Sequence, residues 1–251
     1  MVVPLHAHRL GRDYGPDSSW QALAGALAAG VDGVETDVCL TGDERLILLH
    51  DPLLELGTTV GGWAHERRLE EIRSGRLRDR DGRITDQRPL ELDDVLDAVP
   101  ADLVVQAEVK AHTDPELAAR TARVLCERYR RRPDRRRIEV ISFHSAAVAI
   151  AAALGYRSRL VLHAEYAPEA LAAWAVARGL AGVSVEHFLL SPHLVAVLRL
   201  AGLSVCTGTV NHPELLRRVV DLARPDAVCT DRPGELRAEA GALAAGARAA
   251  A

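Results

Sequence analysis

Short apolar, β-branched runs alternate with helix-patterned stretches from one end of the chain to the other, and this alternation restricts the fold more than any other feature. Runs over residues 2–8, 33–38, 103–109, 138–143, 159–163, 182–186, 204–210 and 226–230 read as strands. Helical patterns occupy most of the intervals, at 18–29, 92–99, 115–131, 145–154, 168–178, 192–200 and 213–222. Ser18, Asp114 and Ser191 are expected as N-caps, with Pro115 and Pro192 at first-turn positions. Eight strands with intervening helices in 251 residues predict an α/β chain folded as a (β/α)8 TIM barrel, with a doubly wound open sheet as the alternative.

Two stretches break the alternation. Residues 46–50 follow the second strand after a turn at 41–44 that is too short for a helical crossover, so they read as an antiparallel hairpin arm at the C-terminal mouth. Residues 53–89 scatter glycines among charges, and read either as a small inserted subdomain over the mouth or as a mobile loop, in a position to shape a substrate pocket. One barrel domain is expected over residues 1–234, and the Ala-rich tail 235–251 as frayed helix or disorder.

Composition excludes several function classes. A net charge of −4 with 4% aromatic residues offers neither the basic stripe nor the stacking platform of a nucleic-acid binder. The one strongly basic run, residues 128–137, is broken by Pro133 and Asp134 and reads as a solvated helix end whose cations complement the dipole. No run of about 18 apolar residues occurs, and the N-terminus lacks a signal-peptide pattern. The mature chain is therefore expected to begin near Met1 and to stay in the cytoplasm, without stable membrane insertion. Cys39, Cys126, Cys206 and Cys229 form no CxxC pair and are expected to be reduced, partly buried thiols. Of 31 basic residues one alone, Lys110, is a lysine, which raises the question of whether that position needs an ammonium.

Strand ends at the mouth of a barrel are where catalysis sits, and here they are loaded with chemistry. The first strand ends in His8 and Arg9; the second carries Glu35 and Asp37, two apart and so on one side. The hairpin arm ends in His50 and Asp51, and the third barrel strand carries Glu108 and Lys110, again on one side. Three converging carboxylates, Glu35, Asp37 and Glu108, repel unless a cation sits among them, and oxygen ligands select a hard ion, Mg²⁺ or Ca²⁺. Beside Arg9 and Lys110 such an ion makes a pocket for a phosphate ester, with His8 and His50 as acid and base.

In combination these residues resemble the glycerophosphodiester phosphodiesterase family, as a divergent member. The stretches that carry the likeness are AHRLG (7–11), GVETDVCLT (33–41), LLHDP (48–52), EVK (108–110), ISF (141–143), TVN (209–211) and TDRP (230–233), in order. The resemblance implies that His8 and His50 are the catalytic pair, that Glu35, Asp37 and Glu108 hold a divalent cation, and that Arg9 and Lys110 contact phosphate. It implies a metal-dependent hydrolase of lipid and glycerol metabolism, cleaving a small-molecule glycerophosphodiester to glycerol 3-phosphate and an alcohol. The nucleophile is either water or the neighbouring glycerol hydroxyl. Two alternatives stand beside it: a phospholipase D-like enzyme releasing a cyclic phosphate, and a non-catalytic barrel that binds a phosphorylated metabolite.

The chain departs from the family pattern at Leu10, where the family has glycine, at Asp17, in place of glutamate, at Leu56, in place of arginine, and at Gly208, in place of tryptophan. These departures fall beside the substrate and leave the metal ligands and the histidine pair intact. Seven of the 10 histidines, His8, His50, His112, His144, His163, His187 and His212, are expected at the C-terminal ends of strands. Polar mouth loops account for such a ring by chance; the functional reading assigns His144, His163 and His187 to substrate contacts.

Overall fold

A computed structural model describes residues 2–249, with side chains as far as residue 245. The expected start at Met1 and the last two residues of the Ala-rich tail lie outside the described residues. Nine strands form: β1 (Leu5–Ala7), β2 (Gly33–Leu40), β3 (Leu46–Leu48), β4 (Val104–Val109), β5 (Ile138–Ser142), β6 (Arg157–Leu162), β7 (Gly182–Glu186), β8 (Ser204–Gly208) and β9 (Ala227–Thr230). All but β3 are parallel and close into a ring in the order β1-β2-β4-β5-β6-β7-β8-β9, with β9 returning to β1. This is the (β/α)8 barrel. β3 pairs antiparallel with the far end of β2, Val38 opposite Leu48, as the hairpin arm expected from its short turn.

Helices cover the outside of the ring, α1 (Trp20–Ala28), α3 (Leu92–Ala98), α4 (Pro115–Tyr129), α5 (Ser145–Ala153), α6 (Pro168–Ala177), α7 (Pro192–Leu200), α8 (Pro213–Ala223) and α9 (Pro233–Ala249), while the short α2 (Leu69–Ser74) belongs to the insertion after the hairpin. Asp114 caps α4 through the Glu116 and Leu117 amides, and Ser191 caps α7 through Leu194, each ahead of a proline. The first cap differs from expectation. Ser19 accepts from the Ala22 amide, while Ser18 takes a positive φ of 54° and spends its hydroxyl on Thr36 inside the fold.

The apolar core lies between ring and helices, where Val34, Val38, Val105, Ala107, Val140, Val183 and Val205 are fully buried or nearly so. Inside the ring the floor is ionic. Glu139 of β5 accepts from Arg159 of β6 at 3.0 Å, from Arg157 at 2.7 Å and from Gln106 of β4 at 3.0 Å, and Arg159 reaches Ser204 of β8 at 2.7 Å. Gly182 makes room for that crossing: a Cβ there would stand 2.0 Å from the Ser204 carbonyl and 2.6 Å from the Arg159 guanidinium.

Two open readings are resolved and one is revised in part. Residues 53–89 form an ordered insertion, with Leu54, Ala64, Leu69, Ile72 and Leu77 buried against Cys39, Ile47 and Leu49 of the hairpin. The Ala-rich segment is helical through residue 249, with Leu236, Ala240 and Ala244 buried and Arg237 paired with Asp32 at 2.8 Å. Apolar side chains four residues apart suffice to dock it. Part of the arginine run serves another helix, while Arg130, Arg131 and Arg136 stay exposed as expected. Arg137 is 8% exposed and donates to the Val99 and Pro100 carbonyls at 3.2 and 3.1 Å, and Arg132 donates to Leu96 at 2.9 Å, so both cap the end of the neighbouring α3.

Candidate active site

Register places the acidic cluster. Glu35 and Asp37 alternate with outward-facing Thr36 and Val38 on β2, and Asp37 lies directly beside Glu108 of β4. One oxygen from each of Glu35, Asp37 and Glu108 falls within 4.8 Å of the others, and all three side chains are buried. Glu35 Oε1, Asp37 Oδ2 and Glu108 Oε1 accept no well-aligned hydrogen bond; the latter two have only ion-pair contacts, with Arg9 Nε at 3.4 Å and Lys110 Nζ at 2.5 Å. Burial and the charge of Asp37 push the Glu35 carboxyl up to about 8. Burial and Asp37 raise Glu108 as well, whereas at Asp37 the cations Lys110 and Arg9 overcome burial and hold the carboxyl low. A buried set of three carboxylates, with oxygens unspent on hydrogen bonds, is the donor set of a hard divalent cation.

Cations and imidazoles stand around this cluster. Lys110 Nζ lies 3.1 Å from Asp37 Oδ1, its ammonium held over the Phe143 ring at 5.5 Å. Arg9 and Arg12 are both gripped by Asp17, at 2.6 and 2.9 Å, so the shorter acid at that position still positions two guanidiniums. The chain reaches this point through three positive φ angles in succession, 49° at Arg9, 64° at Leu10 and 107° at Gly11. Leu10 therefore adopts the left-handed backbone itself, and its fully buried side chain offsets the strain.

Each histidine of the expected pair is anchored by a carboxylate through Nδ1. His8 bonds Asp231 at 2.6 Å and His50 bonds Asp51 at 3.1 Å, which leaves each Nε2 free. His8 Nε2 lies 4.0 Å from Glu35. Asp231 is itself fixed, accepting from Asn211 Nδ2 at 2.7 Å while its amide donates to Asn211 Oδ1 at 2.9 Å. Burial works against the His8 imidazolium, but the Asp231 bond and the Glu35 charge outweigh it and raise the ring's pKa; at His50 burial prevails over Asp37 and lowers it.

These groups line one cavity of about 370 Å³ that enters the barrel from the strands' C-terminal ends, as small-molecule sites do. His8, Arg9, Glu35, Asp37, His50, Glu108 and Lys110 are all on its wall. His144, His163 and His187 are not. His144 turns back to the His112 carbonyl at 3.0 Å, His163 packs edge-on against Phe143, and His187 packs against Phe188. All three follow strand ends, as expected, yet each leaves its strand on a loop that carries the ring to the rim. No residue of 53–89 lines the cavity either.

The structure also assigns places to residues that sequence reasoning left without a role. Asp231 and Asn211 were noticed only as parts of motifs; their signal was a carboxylate and an amide at adjacent strand ends, β9 and β8. Glu186, Ser184 and Thr209 line the opposite wall.

Comparison with known proteins decides the family. Residues 8–235 match the model of the glycerophosphoryl diester phosphodiesterase family. The chain belongs to this family. It is thus a phosphodiesterase by class, and the matched span runs from the anchored His8 past Asp231. The Bacillus subtilis protein YqiK is 26% identical over 242 residues, covering 92% of this chain and 96% of its own length. A glycerophosphodiester phosphodiesterase of Bacillus altitudinis is 35% identical over 74 residues, 30% of each chain. Among solved structures, an Oleispira antarctica phosphodiesterase in complex with the product sn-glycerol-3-phosphate superposes with a TM-score of 0.82 at 20% identity, covering 95% of this chain and 96% of that one. A glycerophosphodiester phosphodiesterase from Parabacteroides distasonis gives 0.80 at 23%, covering 97% and 98%. Both share the barrel. Among the described residues no helix is long and apolar enough to cross a membrane.

Proposed function

We propose that this phosphodiesterase hydrolyses a small glycerophosphodiester to glycerol 3-phosphate and an alcohol, using a divalent cation and the His8/His50 pair. The observation that carries the reading is the pairing of two Nδ1-anchored imidazoles with a buried three-carboxylate cluster in one cavity. Glu35, Asp37 and Glu108 would hold the cation, which when bound neutralises the phosphoryl oxygens as a Lewis acid. Arg9 and Lys110, placed by Asp17, Asp37 and Glu108, bind the remaining phosphate charge and orient the ester. With Nδ1–H committed to a carboxylate, each neutral imidazole presents an unprotonated Nε2, the form that accepts a proton from a nucleophilic oxygen. One imidazole takes that proton as the new P–O bond forms; the other, as imidazolium, gives its proton to the alcohol oxygen as the old P–O bond breaks. His144, His163 and His187 stand at the rim, where a contact with a substrate's outer end is the remaining part for them.

The test is a panel of phosphodiesters incubated with Mg²⁺, with Ca²⁺ and with chelator, products read by phosphorus NMR. Glycerol 3-phosphate that forms only with metal, and is lost in His8→Ala and in His50→Ala, is the expected result. A cyclic phosphate as the final product would replace hydrolysis by internal transfer, and turnover indifferent to chelation would overturn the metal's part.

A further inference from the structure

Every carboxylate on the cavity wall but one is compensated by a neighbour. Glu35 accepts from the Arg9 amide at 2.8 Å and faces His8, Asp37 and Glu108 share Lys110, and Asp231 is held by His8 and Asn211. Glu186, half-buried at the end of β7, has no hydrogen bond or ion pair from its side chain among the described residues. Nor do the side-chain hydroxyls of Ser184, two residues earlier on the same inward face, and of Thr209, just past β8. In a ring of eight strands β7 is the fourth from β2 in either direction, so this wall stands across the barrel from Glu35 and Asp37.

The neighbouring strand leaves Glu186 uncovered. Its register partner on β8 is Gly208, which has no side chain to shield the carboxylate, and a Cβ there would meet Cys229 at 2.8 Å. For an ester held by Arg9 and Lys110, Glu186 is on the wall across the same cavity, where one of the two organic arms can reach it. The arm that reaches Glu186 meets a half-buried carboxylate that has no partner, which favours an ammonium over a neutral group.

We propose that Glu186 is a specificity-determining residue that selects diesters whose alcohol carries a cationic amine, with Ser184 and Thr209 as flanking hydrogen-bond partners. The inference rests on the phosphodiesterase reading of the same cavity, and deepens it by naming the class of alcohol. The carboxylate adds nothing to the chemistry at phosphorus. It binds the leaving arm's nitrogen, and so acts on the choice between substrates.

The experiment compares the 2-aminoethyl ester of glycerol phosphate with its 2-hydroxyethyl isostere, which differs only in the charged end. Wild-type kcat/KM should favour the amine by roughly tenfold or more, the range of a hydrogen bond to a charged group. Glu186→Gln should bring the ratio near one, and Glu186→Lys should invert it. Calorimetric binding of the two matching non-hydrolysable phosphonates gives the same comparison without turnover. A wild-type ratio near one, or a ratio that Glu186→Gln leaves within twofold of wild type, overturns the proposal while leaving the hydrolytic reading in place. Preference for the ammonium phosphonate without hydrolysis of either ester would sustain the subsite and sink the hydrolytic reading. Absence of both binding and hydrolysis would sink the two together.

Discussion

Asp231→Asn separates the anchoring of His8 from its presence. The carboxylate accepts a hydrogen bond from His8 Nδ1–H on Oδ1 at 2.6 Å and one from the Asn211 amide nitrogen on Oδ2 at 2.7 Å. An asparagine at this position keeps the shape but must turn its oxygen to the Asn211 donor, so that its NH₂ faces His8 Nδ1. The imidazole then keeps its proton on Nε2, the wrong tautomer for accepting one at the substrate. The loss has a floor set by the charge-assisted hydrogen bond, about 1.5–3 kcal/mol or roughly 10- to 100-fold in kcat, and the tautomer reversal adds to it, since a serine-protease triad loses about 10⁴ this way. KM and calorimetric metal affinity should stay near wild type, because Asp231 contacts neither the acidic cluster nor the phosphate clamp. Steady-state kinetics on Asp231→Asn, His8→Ala and the double variant provide the check. The double variant should be no slower than His8→Ala alone. If Asp231→Asn costs the same factor with and without His8, the anchoring argument is refuted.

Three further predictions follow from the same geometry. Glu35→Ala and Asp37→Ala should each lower metal-dependent turnover roughly 100-fold or more, while calorimetry of the metal-free Glu35→Ala protein shows a Tm no lower than wild type, because a buried repulsive carboxyl has been removed. Lys110→Arg should reduce kcat/KM about tenfold although charge is kept, since the slot between Asp37 and Glu108, 3.1 and 2.5 Å from Nζ, is sized for an ammonium and not for a planar fork; unchanged kinetics would mean that the lone lysine has no special place. On the barrel floor, burial opposes the Glu139 charge but Arg159, Gln106 and Arg157 overcome it and hold its pKa at about 2, below the ordinary 4.5. A carboxyl depressed in the folded state contributes stability that is whole above about pH 4.5 and is lost as pH falls toward 2. The difference is on the order of 3 kcal/mol, and a denaturant titration series should find it flattened in Glu139→Gln.

Alternation of strand and helix disclosed the barrel because each period writes itself locally. The site was readable where function put charge at a strand's end: Glu35 with Asp37, Glu108 with Lys110, and His8 and His50 after apolar runs. What stayed hidden depends on distance across the fold. Asp231 stood in the sequence only as part of the TDRP motif until β9 was set beside β1, and Glu139 and Arg159, to which the sequence reading gave no role, meet only inside the ring. For three of the histidines the unread element was the loop. Position in the sequence put His144, His163 and His187 at the mouth, but a loop's path decides whether a ring turns inward. Leu236, Ala240 and Ala244 dock α9 through a stripe too sparse to stand out within a run of alanine and glycine.

The closing of the ring has a kinetic side. β1 finds its second partner only in β9, Leu5 beside Val228, and the His8–Asp231 bond spans 223 residues of sequence across that seam. Contacts of such separation form late, because the intervening chain must be ordered first. On the ribosome the chain must emerge through β9 before the first strand has both neighbours, and until then its edge is exposed. His8, the proposed acid–base group, and its anchor Asp231 stand on either side of that seam, so recovery of turnover during refolding is expected to report its closure.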